Sequence, residues 1–464
     1  MRSKLLIALC LTLIMLMLAA CGPAVGTEDS SAKETSVAAP GESSGAETDA
    51  PVTTAEETRK PVELKPVSAG DIPAFSGGIK HTDYNCGDGV YMHHVTMVLP
   101  REYTAYVEKL PSLGYTEVNR REYGSNYFCT FAKDGTALIA SYFGADSSVR
   151  LTILPYDPYD AYDDIYGVTD APAGDVEPLF TMVSTDFVTK TNGMSYIIRT
   201  PKGSFIIIDG GWTGVGEAKK ILDILKSQNT RDGVPVVAAW ILTHPHSDHI
   251  GAISEMASIY YDEIKLERVI FNFVDDEILA KSDSKAMLES NSSILNILRK
   301  ALSSDKKWAA AAVIKPHTGD LLNIDGVTVE ILHTHEDVYP KTDDLLYNNA
   351  NSLAFRISAG GHSAMITGDL SGTGMKVLAE RYGAALKSDI LQPTHHGTTH
   401  GQVTTYNYIS PSIVMWDTSA SRYAEYENQA YNQLLVRIAP RHYISGNGTV
   451  TVSLTTLEEI KANS

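Results

Sequence analysis

Residues 242–251 read Leu-Thr-His-Pro-His-Ser-Asp-His-Ile-Gly, so four side chains able to ligate a metal fall within six residues. These are His244, His246, Asp248 and His249. The apolar run 236–242 leads straight into them, as a buried strand would. Ligands packed this densely on a short loop can hold one metal ion or two. Imidazole suits zinc, iron or manganese, and carboxylate suits harder ions. Cysteine is far from this loop in the sequence, so thiolate ligation is not expected.

Three further features share one habit, polar residues closing an apolar strand. Asp209-Gly210-Gly211 closes a strand over 204–209, itself hairpinned to 194–200 through Pro201-Lys202-Gly203. Gly368-Asp369 follows a hairpin of 352–358 and 363–367, and His395-His396-Gly397 follows a short strand at 390–392. Taken singly, each is an ordinary turn. Amphipathic helices are expected over 215–227, 250–261, 292–302, 374–382 and 426–438, with strands over 266–273, 320–333 and 413–416. A hairpin over 443–454, turned at Gly446-Asn447-Gly448, closes the chain. Strand pairs alternate with helices, which predicts helices outside a two-sheet core.

Together these stretches resemble the metallo-β-lactamase superfamily. Within it, the hydrolase domain of the ComEC-type competence proteins is the most similar. The resemblance rests on residues 242–251, Asn348-Asn349-Ala350-Asn351-Ser352-Leu353, Ile366-Thr367-Gly368-Asp369-Leu370, His395-His396-Gly397-Thr398 and the Gly446-Asn447-Gly448 loop. It implies an α/β fold, an αββα sandwich with a site for two divalent metal ions, zinc or manganese, along one edge. His244 and His246 would bind the first metal, and Asp248 and His249 the second. Asp369 would bridge them, His395 would complete the second site, and Asp209 would orient the loop by hydrogen bonds. Asp248, His396 and His400 are the expected catalytic groups, the two histidines as donors of the leaving-group proton.

Two points stay open in the sequence. Neighbours at a strand end point apart, so one of His395 and His396 is expected to ligate and the other to face substrate. Many superfamily members supply a third histidine four residues before a serine; relative to Ser352 that position is Asn348, with Asn349 beside it. An amide oxygen is a weaker zinc ligand than imidazole but serves manganese or magnesium. The ComEC-type relatives also carry Asn there. His333 and His335, at the end of the preceding strand, are the candidate replacements.

The rest of the chain divides by composition. Residues 1–20 join a basic start, Arg2 and Lys4, to an apolar stretch too short to span a bilayer comfortably. They end in Leu18-Ala19-Ala20-Cys21-Gly22, similar to a bacterial lipobox, which implies a signal peptide and lipid anchorage of an extracytoplasmic lipoprotein to the cell membrane at Cys21. Residues 21–66 are rich in Ser, Thr, Ala, Glu and Pro and are expected to form a disordered tether. Residues 67–155 predict a small α+β domain, with a helix over 101–110 and strands over 91–99, 127–131, 136–142 and 149–154. His93 and His94 there alternate faces of a strand and are expected to be surface histidines. Cys86 and Cys129 could form one disulfide or stay as two buried thiols. Residues 156–178, rich in Asp, Tyr and Pro, fit a solvated linker better than a calcium loop. Residues 179–464 form the hydrolase domain.

A formal net charge of −18 argues against tracking along nucleic acid, which needs a basic face, so no stable nucleic-acid complex is expected. Hydrolysis of one exposed phosphodiester at a metal site is compatible with it. The expected substrate is therefore a phosphodiester in nucleic acid or a cell-wall polymer. The alternatives are a carboxylic ester, a lactone or a β-lactam, or a non-catalytic metal-binding scaffold lipoprotein.

Overall fold

The structure, a computed structural model, describes residues 64–156, 174–184, 192–281, 285–304 and 306–461. The expected signal peptide, Cys21, nearly all of the tether and most of the Asp- and Tyr-rich linker lie outside the described residues.

Six strands make the first sheet: β1 (Lys80–Gly87), β2 (Val90–Thr96), β3 (Thr116–Tyr123), β4 (Asn126–Lys133), β5 (Thr136–Phe143) and β6 (Ser148–Pro155), ordered β1-β2-β6-β5-β4-β3. One face packs on the helix Pro100–Lys109 through Tyr103, Tyr106, Val107, Phe131, Leu138 and Leu151. The other face, with Cys86, Met92 and Ile139, packs on Val274, Leu279, Tyr339 and Leu345 from later in the chain. Cys129 belongs to the first of these cores and Cys86 to the second, so the two thiols lie on opposite faces and do not pair. His93 and His94 do alternate faces, but His94 is buried, not on the surface. It pairs in register with Arg150 on β6, on the side that meets the rest of the molecule.

The second sheet comprises β7 (Leu179–Met182), β8 (Ser195–Arg199), β9 (Phe205–Asp209), β10 (Val236–Ile241), β11 (Lys265–Leu266), β12 (Arg268–Ile270) and β13 (Ala312–Ile314). The third comprises β14 (Leu321–Ile324), β15 (Val327–His333), β16 (Ala354–Ala359), β17 (His362–Ile366), β18 (Ile390–Leu391), β19 (Ile413–Trp416) and β20 (Arg441–Ile444). A last strand, β21 (Val450–Ser453), returns to the second sheet beside β7. Strand periodicity builds three apolar layers. Tyr196, Ile198, Ile206 and Ile208 face the third sheet. Ile197, Phe205 and Ile207 face the helices Glu217–Gln228 and Ser247–Ile259 on the outside. The third sheet sends Met365, Leu391, Val414 and Trp416 outward against the helices Gly372–Tyr382, Val403–Ile409 and Ala430–Ile438. This is an αββα sandwich preceded by a β-rich domain.

Two expectations are corrected. Arg441–Ile444 and Val450–Ser453 do not form a hairpin: the first pairs parallel to β19, the second antiparallel to β7. The glycine turn between them carries the chain from one sheet to the other. The helix expected over 426–438 is two, Ala420–Tyr426 and Ala430–Ile438, because Gln429 is extended at φ −64° and ψ 139°. The buried Asn432 side chain donates to the Tyr426 carbonyl at 3.0 Å, which also accepts from the Gln429 amide, and to the Gly397 carbonyl at 2.6 Å.

Candidate metal centre

β9 runs parallel to β10, and β17, β18 and β19 run parallel to one another. Their carboxyl ends therefore collect Asp209, Thr243-His244, Asp369, His395-His396 and Asp417 along one edge of the sandwich, where open α/β sheets place ligands.

Asp209 ends β9 with a left-handed backbone, φ 52°, and is fully buried. Its Oδ1 accepts from the Thr243 amide and its Oδ2 from the Thr243 hydroxyl, both at 2.7 Å. Oδ2 also lies 2.7 Å from His249 Nδ1. The carboxylate thus ties the histidine loop to the neighbouring strand and leaves His249 Nε2 facing the cluster. The helix Ser247–Ile259 starts inside the motif, with His246 as its N-terminal cap residue. Gly251 lets that helix press on the Gly211-Trp212-Thr213 segment: a Cβ there would lie 2.3 Å from the Thr213 amide nitrogen.

Asp369 stands at the centre. Its Oδ1 lies 3.3 Å from His249 Nε2 and 3.5 Å from His396 Nε2, and its Oδ2 lies 3.8 Å from His244 Nε2 and 3.6 Å from His395 Nε2. The two oxygens so face different imidazoles. Two ligand groups result, His244, His249 and Asp369 in one and Asp248, His249 and His396 in the other, the atoms of each within 4.8 Å of one another. Asp369 Oδ1 is buried and has no hydrogen-bond partner. A buried carboxylate oxygen without a donor, ringed by imidazole nitrogens, fits a cation.

His246 lies just outside both groups, its Nδ1 2.9 Å from His244 Nε2. His396 rather than His395 joins Asp248 and His249 in the second group. It is 1 % exposed, and its Nε2 lies 3.4 Å from Asp248 Oδ2 and 3.3 Å from His249 Nε2. The strand-end alternation does not apply here, because both histidines sit in a tight turn with left-handed backbones, φ 51° and 58°. His395, on the other side of Asp369, reaches Asn349 Nδ2 at 3.3 Å and stacks on the exposed His400, ring centroids 5.2 Å apart. Buried Asn348 points an unpartnered Oδ1. His333 and His335 belong to neither ligand group: their Nδ1 atoms lie 3.1 Å from the Ser352 carbonyl and 3.2 Å from the Asn272 carbonyl.

The residue the sequence reading missed is Asp417. Its Oδ2 lies 3.0 Å from His396 Nδ1, the same support Asp209 gives His249. The available signal was an acid directly after the apolar strand Ile413–Trp416.

The electrostatics follow from four carboxylates, Asp209, Asp248, Asp369 and Asp417, and several imidazoles in one largely buried cluster. Burial pushes His249 down, yet Asp369, Asp209 and Asp248 together raise it to about 10. His396 is likewise raised well above the usual histidine value, against burial, by Asp369 and Asp417. Burial first, and then the neighbouring histidines, hold His244 well below that value, and burial holds His246 at about 4 against the pull of Asp248 and Asp369. Asp369, despite its burial, is held well below the carboxylate range by His396 and His249. Protons on His249 and His396 balance the carboxylates, the charge a divalent cation would otherwise supply.

Residues 188–342 match the family model of the metallo-beta-lactamase superfamily. No curated protein sequence matches the chain. Among solved structures, the diiron beta-hydroxylase CmlA from Streptomyces venezuelae is 13 % identical with a TM-score of 0.35, over 60 % of this chain and 54 % of that one. This chain thus spans about half the length of the hydroxylase it matches. The short form of human tRNase Z is 12 % identical, TM-score 0.34, over 60 % of this chain and 99 % of that one. A long-form RNase Z from yeast is 10 % identical, TM-score 0.36, over 62 % and 43 %. The segment that matches the metallo-beta-lactamase superfamily model carries Asp209 and the histidine loop of the αββα sandwich.

Proposed function

We propose that the protein is a metal-dependent hydrolase of the cell surface that cleaves phosphodiester bonds in nucleic acid or a cell-wall polymer. The observation that carries this reading is Asp369, whose two oxygens face separate imidazole sets, as a carboxylate shared by two cations requires. His244, His395 and Asp369 Oδ2 would hold one ion, with His246 adjacent. Asp248, His249, His396 and Asp369 Oδ1 would hold the other. Two divalent ions so held would acidify water near neutral pH and stabilise charge developing on the substrate oxygens. Asp209 and Asp417 keep His249 and His396 in the tautomer that points Nε2 inward. His396, buried and tied to Asp417, is not free to give a proton to a leaving group. His400, exposed and stacked on His395 at the mouth, takes that role here. The lipobox-like segment before Gly22 supports anchorage through Cys21, and the acidic chain favours brief contact with a polyanion over stable binding.

The test compares bis-p-nitrophenyl phosphate, a lactone and nitrocefin with zinc, manganese or magnesium supplied. Turnover of the phosphodiester that Asp369→Ala abolishes is the expected result. Turnover of the lactone or nitrocefin alone would replace this substrate class with another, and full activity of Asp369→Ala would refute the shared carboxylate. Absence of bound metal after purification from supplemented medium would favour a non-catalytic scaffold.

A further inference from the structure

Where the six-stranded sheet meets the sandwich there is a cavity of about 190 Å³. Arg150 of β6 and Arg381 of the helix Gly372–Tyr382 line it, and are 5 % and 7 % exposed. Both guanidinium groups bond the same carboxylate oxygen, Asp337 Oδ1, Arg150 at 2.7 Å. The other oxygen of Asp337 accepts from the Thr334 amide at 2.9 Å and from the Thr318 hydroxyl. Nearby Glu336 is matched by His317, 2.9 Å away. His333, on the cavity wall, is kept neutral by burial. Two buried guanidiniums therefore share one buried carboxylate, and the second positive charge is answered by Asp146, which is exposed at the rim. Arg150 Nε is also buried without a hydrogen-bond partner. A buried charge answered only from an exposed position is weakly compensated.

The walls add donors. Ser371 and Thr373 open the helix Gly372–Tyr382, whose first-turn amides carry the positive end of its dipole. At the rim stand the exposed Lys341 and Asp146 and the half-buried Asp344. At roughly 30 Å³ per water, the cavity has room for about six waters or one tetrahedral oxyanion.

We propose that this cavity is an anion site that takes a phosphate group, with Arg150 supplied by the first domain and Arg381 and Lys341 by the second. The site does not rest on the hydrolase reading, since its donors are all outside the metal ligands. It adjoins them: Ala350 lines the cavity, while Asn349 in the same turn reaches His395.

The test is calorimetric titration of inorganic phosphate into the full chain after chelator treatment, at fixed ionic strength, so that metal cannot take the anion. One phosphate site is expected. Arg150→Gln should weaken it at least tenfold, and Lys341→Ala about threefold. Arg381 still neutralises Asp337 in Arg150→Gln, so that variant should fold; thermal melting checks this. Should it melt early, Lys341→Glu decides, and unchanged binding there overturns the proposal. Asp389→Asn, outside both the cavity lining and the ligand groups, should bind phosphate as the parent does. Unaltered binding in folded Arg150→Gln, absence of binding in the parent, or an equal loss in Asp389→Asn would each overturn it. Failure of the hydrolase reading would instead appear as absent turnover.

Discussion

Replacing Asp417 by Asn tests the His396 arm of the metal centre without touching a ligand atom. Asp417 and His396 are each 1 % exposed, so their 3.0 Å contact is an unscreened, charge-assisted hydrogen bond. Such bonds contribute on the order of 1.5–3 kcal/mol. The Asp417 backbone carbonyl lies 3.1 Å from the same His396 Nδ1 and stays in the variant, so ring orientation should survive while the carboxylate's charge is lost. That places the effect toward the lower end, about 1.5–2 kcal/mol, or roughly ten- to thirtyfold in affinity for one metal. The assay is zinc competition against a chromophoric chelator, resolving two binding steps. Asp417→Asn should weaken one step and spare the other, whereas Asp369→Ala should weaken both. Asp389→Asn, whose carboxylate lies 3.2 Å from His362 on β17, serves as the control and should weaken neither. Wild-type affinity in both steps for Asp417→Asn would remove His396 from the ligand set as drawn here.

Other consequences are checked by simpler measurements. Metal must displace protons from His249 and His396, whose values are raised, so metal affinity should rise with pH from about 6.5 toward about 10, and titrations in buffers of different ionisation enthalpy should register the released protons. In the metal-free protein the sign reverses: stability from protonated His249 is full below the unfolded value near 6.5 and is lost as pH rises through about 10. Against burial, Arg381 and Arg150 hold Asp337 well below the carboxylate range, so its contribution is present above about pH 4 and fades in acid; Asp337→Asn should flatten the acid limb of a melting-temperature profile. Gly251→Ala forces a Cβ onto the Thr213 amide and should destabilise by about 1–3 kcal/mol or more, read as a lower melting temperature. Burial pushes the Cys86 thiol up to about 12 and raises that of Cys129, so neither should react with a thiol reagent until the chain unfolds.

The parts of the site legible in the sequence are those whose geometry is local. His244, His246, Asp248 and His249 lie on one loop, and Asp209 and Asp369 announce themselves by closing apolar strands. The partnership of His396 with Asp417 was hidden, because it depends on β18 pairing parallel to β19 with Leu391 opposite Val414, a long-range register. The left-handed turn at His395-His396 was hidden too; backbones of this kind are set by surrounding packing, here Gly397 against Trp416 and Asn432 bonding the Gly397 carbonyl. The final turn misled for a related reason. Gly446-Asn447-Gly448 is turn chemistry, but a turn does not say whether its two strands pair with each other. β1 and β3 escaped notice because they are sheet edges built mostly of polar residues, whose sequence lacks the apolar–polar alternation of a half-buried strand.

The segment from His333 to Asn351 links what the sequence kept apart. On one side it contributes Asn349, whose Nδ2 reaches His395. On the other it contributes Asp337 to Arg150, and Tyr339 and Leu345 to the apolar face of the first sheet. The same seam holds Glu330 between Arg121 of β3 and Arg356 of β16, with Arg356 also donating to the Tyr123 hydroxyl at 2.9 Å. Removing the first domain would therefore do more than shorten the chain. It would expose Val274, Leu279, Tyr339 and Leu345, leave Glu330 and Asp337 with one guanidinium each, and free the segment that carries Asn348 and Asn349. Buried contacts of this kind are costly to break, so the six-stranded domain holds the segment from His333 to Asn351 against the sandwich, on whose other side Asn349 reaches His395.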